Sequence, residues 1–229
     1  MIPFEKKEEK LIYTICKECN VKNIEQFIAE IAKFYKILTD VNSNLNLTRI
    51  RSEEDFWIKH IFDSLYIGKY FSEISKDKLK ILDLGCGGGF PSIPLAIAFD
   101  NLEIVALDSI KKKTDFVDSI AKKMKLNNLS VFAGRARELN RKKEWAGQFD
   151  IVTARAVAES KVIFRETRNF LKEAGRYILY KTPEQISNEF AETAKISAKN
   201  GFEWSIKEEY SLPNNLGKRQ FLMGENNAM

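Results

Sequence analysis

The residues able to do chemistry gather at Asp83, Gly85, Gly87, Gly88 and Gly89, within Lys80 to Pro91, which reads K-I-L-D-L-G-C-G-G-G-F-P. Ile81, Leu82 and Leu84 form a short apolar run of the kind that fills a buried parallel strand. The glycines that follow permit backbone angles closed to other residues and let a ligand approach the main chain. Pro91 suits the first turn of a helix, where a missing N–H costs nothing, and Ile93, Leu95, Ala96 and Ile97 continue it. Strand, glycine turn and helix in this order form the entry to a nucleotide-binding crevice.

Spacing narrows the ligand. A dinucleotide fingerprint requires G-x-G-x-x-G, and counting from Gly85 and Gly87 puts Phe90 at the third glycine position. What stands here is D-x-G-x-G-x-G, with Asp83 inside the strand. This resembles the cofactor loop of Rossmann-like methyltransferases, which bind S-adenosylmethionine. That ligand has no pyrophosphate, and its amino-acid end carries an ammonium and a carboxylate. One acidic side chain with several open backbone positions suits it.

The elements that position this turn follow from the remaining pattern. A chain of 229 residues holds one large domain, or one domain with a smaller appendage. The hydrophobic content of 44% and charged content of 30% are those of an ordinary globular protein. A net charge of +5 is compatible with a polyanionic partner without requiring one. No apolar stretch approaches a membrane span, and the start M-I-P-F-E-K-K-E-E-K has no signal-peptide core. A cytoplasmic protein is expected. Cys16, Cys19 and Cys86 make no disulfide framework. The C-x-x-C at Cys16 and Cys19 lies on a helical pattern in a chain with one histidine, too few ligands for a zinc site.

Residues 5 to 70 read as helices, with Leu11, Ile12 and Ile15 on one stripe and Phe27, Ile28, Ile31, Phe34, Tyr35 and Leu38 on another. The segment V-N-S-N-L-N-L-T reads as a loop. Ser52 and Asp55 suggest a weak capping box opening a helix through Leu65, and Ser72 to Lys78 reads as a polar connection. From Lys80 strands and helices alternate. Strands are expected at Ile104 to Leu107, Leu129 to Ala133, Ile151 to Ala154 and Tyr177 to Tyr180. Helices are expected at Lys111 to Lys125, Ser160 to Lys172 and 184 to 199. Trp204 to Ile206 and Arg219 to Met223 close the chain as a hairpin-like pair. The fold class is α/β, a Rossmann-like sheet with helices on both faces. Residues 1–72 are expected to form a small N-terminal helical region packed on the core and 73–229 the Rossmann-like domain, with one compact domain overall as the alternative.

Ligands in such sheets bind outside the carboxyl ends of the strands. Asp108 ends the second strand, where a carboxylate can accept from both ribose hydroxyls of an adenosine or act as a helix N-cap. Gly134, Arg135, Ala136 and Arg137 follow the third strand and can offer backbone N–H groups to an adenine. Arg155 ends the fourth strand and Lys181 the fifth. With Lys111, Lys112, Lys113, Lys218 and Arg219 these cations form a basic rim suited to a phosphate-bearing substrate. The turn after the fourth strand reads T-A-R-A, not the N/D-P-P-Y turn of adenine-N6 enzymes. No cysteine follows strands three to five, as cytosine-C5 chemistry needs. Arg155 stands where ribose 2′-O enzymes want an acid. An acceptor needing little activation remains, and guanine N7 is one, with an in-plane lone pair and no proton to remove. Catalysis is then mainly orientation and proximity.

N-L-T-R-I at 46–50, K-H-I-F-D-S-L at 59–65, D-L-G-C-G-G-G-F-P-S-I-P-L-A at 83–96, L-D-S at 107–109 and A-R-A at 154–156 together resemble the small-subunit (16S) ribosomal RNA methyltransferase G family, also called the glucose-inhibited division protein B family. The resemblance implies S-adenosylmethionine-dependent N7 methylation of one guanine in the 530 loop of bacterial 16S rRNA, with 16S rRNA or the small subunit as partner; no membrane association and a monomer are also expected. Carried over by position, Gly85, Gly87, Phe90, Asp108, Ala136, Arg137 and Arg155 contact the cofactor. Arg155, with His60 and Lys181, is the catalytic candidate, although a lone helix histidine is often structural. No metal is implied. Three positions depart from the family pattern: Arg137 replaces a usual glutamate, Ser92 a usual glycine, and Thr182 a common glycine after Lys181.

Overall fold

Successive residues of the central strands are buried on opposite faces of one sheet, which places a hydrophobic layer on each side. The computed structural model describes residues 6–45 and 52–226. The strands are β1 (Leu79–Leu84), β2 (Leu102–Asp108), β3 (Leu129–Ala133), β4 (Phe149–Arg155), β5 (Leu171–Lys181), β6 (Phe202–Ile206), β7 (Tyr210–Ser211) and β8 (Lys218–Asn226). They run in the order β3-β2-β1-β4-β5-β8-β6, with β7 pairing β8 beside this path. The first five are mutually parallel, whereas β8 is antiparallel to both β5 and β6. This is the Rossmann-like sheet the alternation predicts.

The period of two decides what each face receives. Ile81, Ile104, Ile151, Ile178, Tyr180 and Phe221 share one cluster with the N-terminal helices α1 (Lys6–Glu18) and α2 (Ile24–Leu45). α4 (Asp63–Tyr70), α6 (Ser92–Ala98) and α7 (Lys111–Lys123) pack on the same side. Leu82, Val105, Val152, Tyr177, Leu179 and Leu222 face α9 (Ser160–Thr167) and α10 (Pro183–Ala198). By this register Asp83 and Arg155 point toward the N-terminal helices, and Lys181 points to the opposite face with Leu179.

Several local expectations are corrected. α2 continues through Leu45, into the segment expected to be a loop. The motif at 46–50 lies outside the described residues. A short helix α5 (Glu73–Lys76) interrupts the expected polar connection. β5 starts at Leu171 rather than near Tyr177, because α9 stops at Thr167 and a 3-10 turn follows. Gly175 lies inside that strand: a Cβ there would stand 2.8 Å from the Phe149 carbonyl, next to a register shift in the β4–β5 pairing. Of the expected capping box the structure forms the Ser52 half, its Oγ accepting from Asp55 N–H at 3.1 Å, and it opens α3 (Glu53–Asp55). Between α3 and α4, Phe56–Phe62 winds as a π-helix, with Asp63 N–H reaching back to Ile58 O.

All three cysteines are free and buried, and burial pushes the Cys16 thiol up to about 12. Among the described residues no His/Cys/Asp/Glu cluster could hold a metal ion, and no helix is long and apolar enough to cross a membrane.

Candidate functional site

Gly85 turns the chain at the end of β1 with φ +71°, a conformation that favours glycine, and its N–H donates to Leu107 O at 2.6 Å. A Cβ on Gly85 would meet Val157 Cγ2 at 2.4 Å, so the backbone and the β4–α9 loop approach closely here. Gly87 N–H donates to Asp108 Oδ2 at 3.0 Å, and Ile110 N–H donates to Asp108 Oδ1 at 2.9 Å. Asp108 is thus aimed from both sides by backbone donors, each oxygen keeping further acceptor capacity. The N-cap of α7 is Ile110 and not Asp108, whose Oδ1 accepts from that residue's own N–H, so the N-cap reading of Asp108 is corrected.

Asp83 lies beneath this turn, 1% exposed. Its Oδ2 accepts from the Ser92 hydroxyl and, at 3.2 Å, from Ser92 N–H. Ser92, at a position where the resembling family has glycine, therefore holds the acid in place. Asp83 Oδ1 is buried with no hydrogen-bond partner among the described residues. Burial pushes the Asp83 carboxyl up to about 6, against the pull of the Ser92 hydrogen bonds.

A cavity of about 490 Å³ opens over the turn. Its walls include Leu84, Gly85, Leu107, Asp108, Ile110, Lys113, Gly134 to Arg137, Ala156 to Ala158, Val162 and Glu166. Apolar walls, one oriented carboxylate and an unmet buried acceptor nearby fit an adenosine that carries an ammonium. Of the cofactor candidates, Gly85, Asp108, Ala136 and Arg137 line this cavity. Gly87, Phe90 and Arg155 do not. Gly87 acts on Asp108 instead, while Phe90 is buried in an aromatic cluster with Phe34 and Phe56. The sequence reading missed Val157 and Glu166, which share no motif with the glycine turn and reach it only through the β4–α9 connection.

A second cavity, about 400 Å³, adjoins the first at Ala156, which lines both and has φ +56°. Its walls bring together the three catalytic candidates, His60, Arg155 and Lys181, with Asp55, Lys59, Asp63, Tyr180 and Arg219. Arg155 Nη1 donates to Lys59 O at 2.9 Å and to Asp63 Oδ2 at 3.1 Å, and Nη2 lies 2.9 Å from His60 Nδ1. Its guanidinium also sits 5.5 Å from the centroid of the Phe90 ring. Asp63, 2% exposed, accepts from Tyr210 Oη at 3.0 Å as well. Burial first, and then the Arg155 charge, push His60 down to about 3.

Lys181 differs from expectation. It is buried, donating to Glu189 Oε2 at 2.8 Å and to Ala158 O at 2.9 Å. Glu189 Oε2 also accepts from Ser160 N–H and Oγ. Lys181 therefore pins the loop between the cavities and is no member of a solvent-facing rim, because the strand register turns it to the α10 side. Thr182 caps α10, its Oγ accepting from Gln185 N–H and its N–H donating to Gln185 Oε1. In the expected rim Lys111 and Lys218 face Asp115 and Glu209. Arg135 and Arg137 are exposed at the first cavity's edge.

A family model described as rRNA small subunit methyltransferase G matches residues 27–214. Proteins named ribosomal RNA small subunit methyltransferase G from Streptococcus pyogenes serotypes M12 and M49 are each 39% identical over 183 residues, covering 79% of this chain and 76% of theirs. Among solved structures, an O-methyltransferase from Bacillus cereus in complex with SAH is similar with a TM-score of 0.58 at 17% identity, covering 85% of this chain and 90% of that one. A fibrillarin pre-rRNA processing protein from Methanococcus jannaschii is similar with a TM-score of 0.53 at 18% identity, covering 68% and 69%. These two structures speak to the fold alone.

Proposed function

The chain belongs to the rRNA small subunit methyltransferase G family, and from that premise we propose that its two adjoining cavities hold S-adenosylmethionine and a guanine of 16S rRNA side by side. The methyl acceptor is N7 of a guanine in the 530 loop. The observation that carries the reading is the shared wall at Ala156: the cavity over the glycine turn suits an adenosine, and the one beside it presents Arg155 and His60. Bound S-adenosylmethionine supplies an electrophilic methyl group on a sulfonium.

The protein's part is positional. Asp108, oriented by Gly87 and Ile110, accepts from ribose hydroxyls. Ile110, Val157 and Val162 wall the purine, and Ala136 and Arg137 offer backbone contacts at its edge. Asp83 Oδ1 remains as the acceptor nearest the amino-acid end. No base is required, because N7 attacks with its own lone pair and releases no proton. His60, its pKa lowered to about 3 by burial and the Arg155 charge, is a weak base, which suits a transfer that needs none. The purine becomes cationic as the methyl arrives. Asp63 balances the Arg155 charge next to it, and orientation supplies most of the rate.

Residues 1–72 act in this scheme as part of the site, since His60 and Asp63 come from them. The protein works as a cytoplasmic monomer on rRNA or the small subunit, with Arg135 and Arg137 facing phosphates. The reading is tested by incubating the protein with methyl-labelled S-adenosylmethionine and, separately, 16S rRNA, 30S subunits and tRNA. Label in the 16S-containing samples alone supports it. Label in tRNA alone moves the substrate to another RNA, and binding without label makes the chain a non-catalytic RNA-binding protein.

A further inference from the structure

The Arg155–His60 contact determines which nitrogen of the imidazole carries the proton. A guanidinium has donors and no acceptor, so His60 Nδ1, 2.9 Å from Arg155 Nη2, must accept. The ring is neutral, which leaves its single proton on Nε2. One face of the ring lies against Phe90, with centroids 4.5 Å apart. The contact through Nδ1 is the one hydrogen bond His60's ring makes among the described residues, and the residue is half-buried. His60 lines the second cavity, so this edge is an unsatisfied donor at its wall. Arg155 is less able to read a base, because its Nη1 is held by Lys59 O and Asp63 and its Nη2 by His60.

A purine presenting N7 to a methyl donor exposes position 6 beside it. Guanine carries an acceptor there, O6, whereas adenine carries the N6 amino donor. We propose that His60 is the specificity-determining residue for the acceptor base, its Nε2–H donating to guanine O6 and opposing the adenine amino group. This deepens the guanine reading above and rests on it. Arg155 is then a positioning residue, holding His60 in the tautomer that donates.

The test uses RNA carrying guanine, inosine or 2-aminopurine at the methylated site. Inosine keeps O6 and lacks the 2-amino group; 2-aminopurine keeps N7 and lacks O6. Wild-type protein should methylate inosine RNA nearly as well as guanine RNA, and 2-aminopurine RNA about 10- to 100-fold more slowly in kcat/KM, the range of one base-reading contact. His60→Leu should lose a similar factor on guanine RNA and show no further loss on 2-aminopurine RNA. His60→Gln, which keeps an N–H donor, should retain part of the preference. Undiminished discrimination against 2-aminopurine in His60→Leu, or wild-type protein that treats 2-aminopurine like guanine, overturns the assignment alone. No transfer from wild-type protein to guanine RNA overturns the acceptor reading beneath it.

Discussion

Arg155 and Asp63, 92 residues apart in sequence, form a buried ion pair with Nη1 3.1 Å from Oδ2. It joins the end of β4 to the first turn of α4, and so fixes the helical region against the sheet at the site itself. Removing one partner of such a pair costs about 3–5 kcal/mol, toward the low end here because Arg219 Nε stands 3.6 Å from Asp63. Arg155→Ala should lower the melting temperature and slow methyl transfer by about 100-fold with both ligands saturating. Arg155→Lys, which keeps the charge without the planar fork, should recover stability more than rate. Single-turnover rates beside thermal melts check this, and an unchanged rate in Arg155→Ala would remove it from the site.

Asp108 should govern donor affinity. Asp108→Ala removes the acceptor for the ribose, and the loss of hydrogen bonds to an ionised group should weaken S-adenosylmethionine binding by about 1.5–3 kcal/mol. Isothermal titration reads this directly. Wild-type affinity would end the ribose role and leave Asp108 as the bridge between Gly87 and Ile110.

The glycine turn was the most legible part of the sequence, because strand, turn and helix are adjacent and each carries a local pattern. Short apolar runs likewise placed β1 to β4 within two residues. The pairing of His60 and Asp63 with Arg155 was not legible, since it depends on how a π-helical segment packs more than 90 residues away. Phe90 was read as a cofactor contact from its place in the motif. It does not line the first cavity; its ring packs against His60, Phe34 and Phe56, with the Arg155 guanidinium 5.5 Å from its centroid. Lys181 looked like a rim cation in one dimension. Strand parity, visible only once β5 is known to continue unbroken to its end, sends it to Glu189.

Gly85 should tolerate no side chain. Gly85→Ala forces an L-residue to φ +71° and drives its Cβ into Val157, so it should lose about 1–2 kcal/mol of stability from the backbone alone and bind S-adenosylmethionine weakly. Val157→Ala in the same chain should relieve the contact but not the backbone strain. Melting curves and donor titrations of the single and double variants check this; full recovery in the double variant would show that φ carries no cost.

Asp83 and His60 should give opposite pH dependences of stability. The Asp83 carboxyl is raised to about 6, so its contribution is complete below an unfolded value of about 3.9 and is lost as pH rises through 6. His60 is lowered to about 3, so its contribution is complete above about 6.5 and is lost as pH falls toward 3. The two slopes oppose between about pH 4 and 6. Relative to wild type, His60→Gln should gain melting temperature as pH falls through that window, and Asp83→Asn should lose it. Parallel curves for all three proteins would mean that neither group titrates as its surroundings dictate.

The most direct measurement is the position and chemistry of the transferred methyl group. Small-subunit RNA lacking the modification, incubated with the protein and S-adenosylmethionine and then reduced and treated with aniline, should break at one guanine in the 530 loop and nowhere else. Breakage requires a 7-methylguanine, so a single scission supports both the acceptor base and the acceptor nitrogen. A methyl group found instead on adenine N6 or cytosine C5, or label incorporated with no scission, would contradict the account.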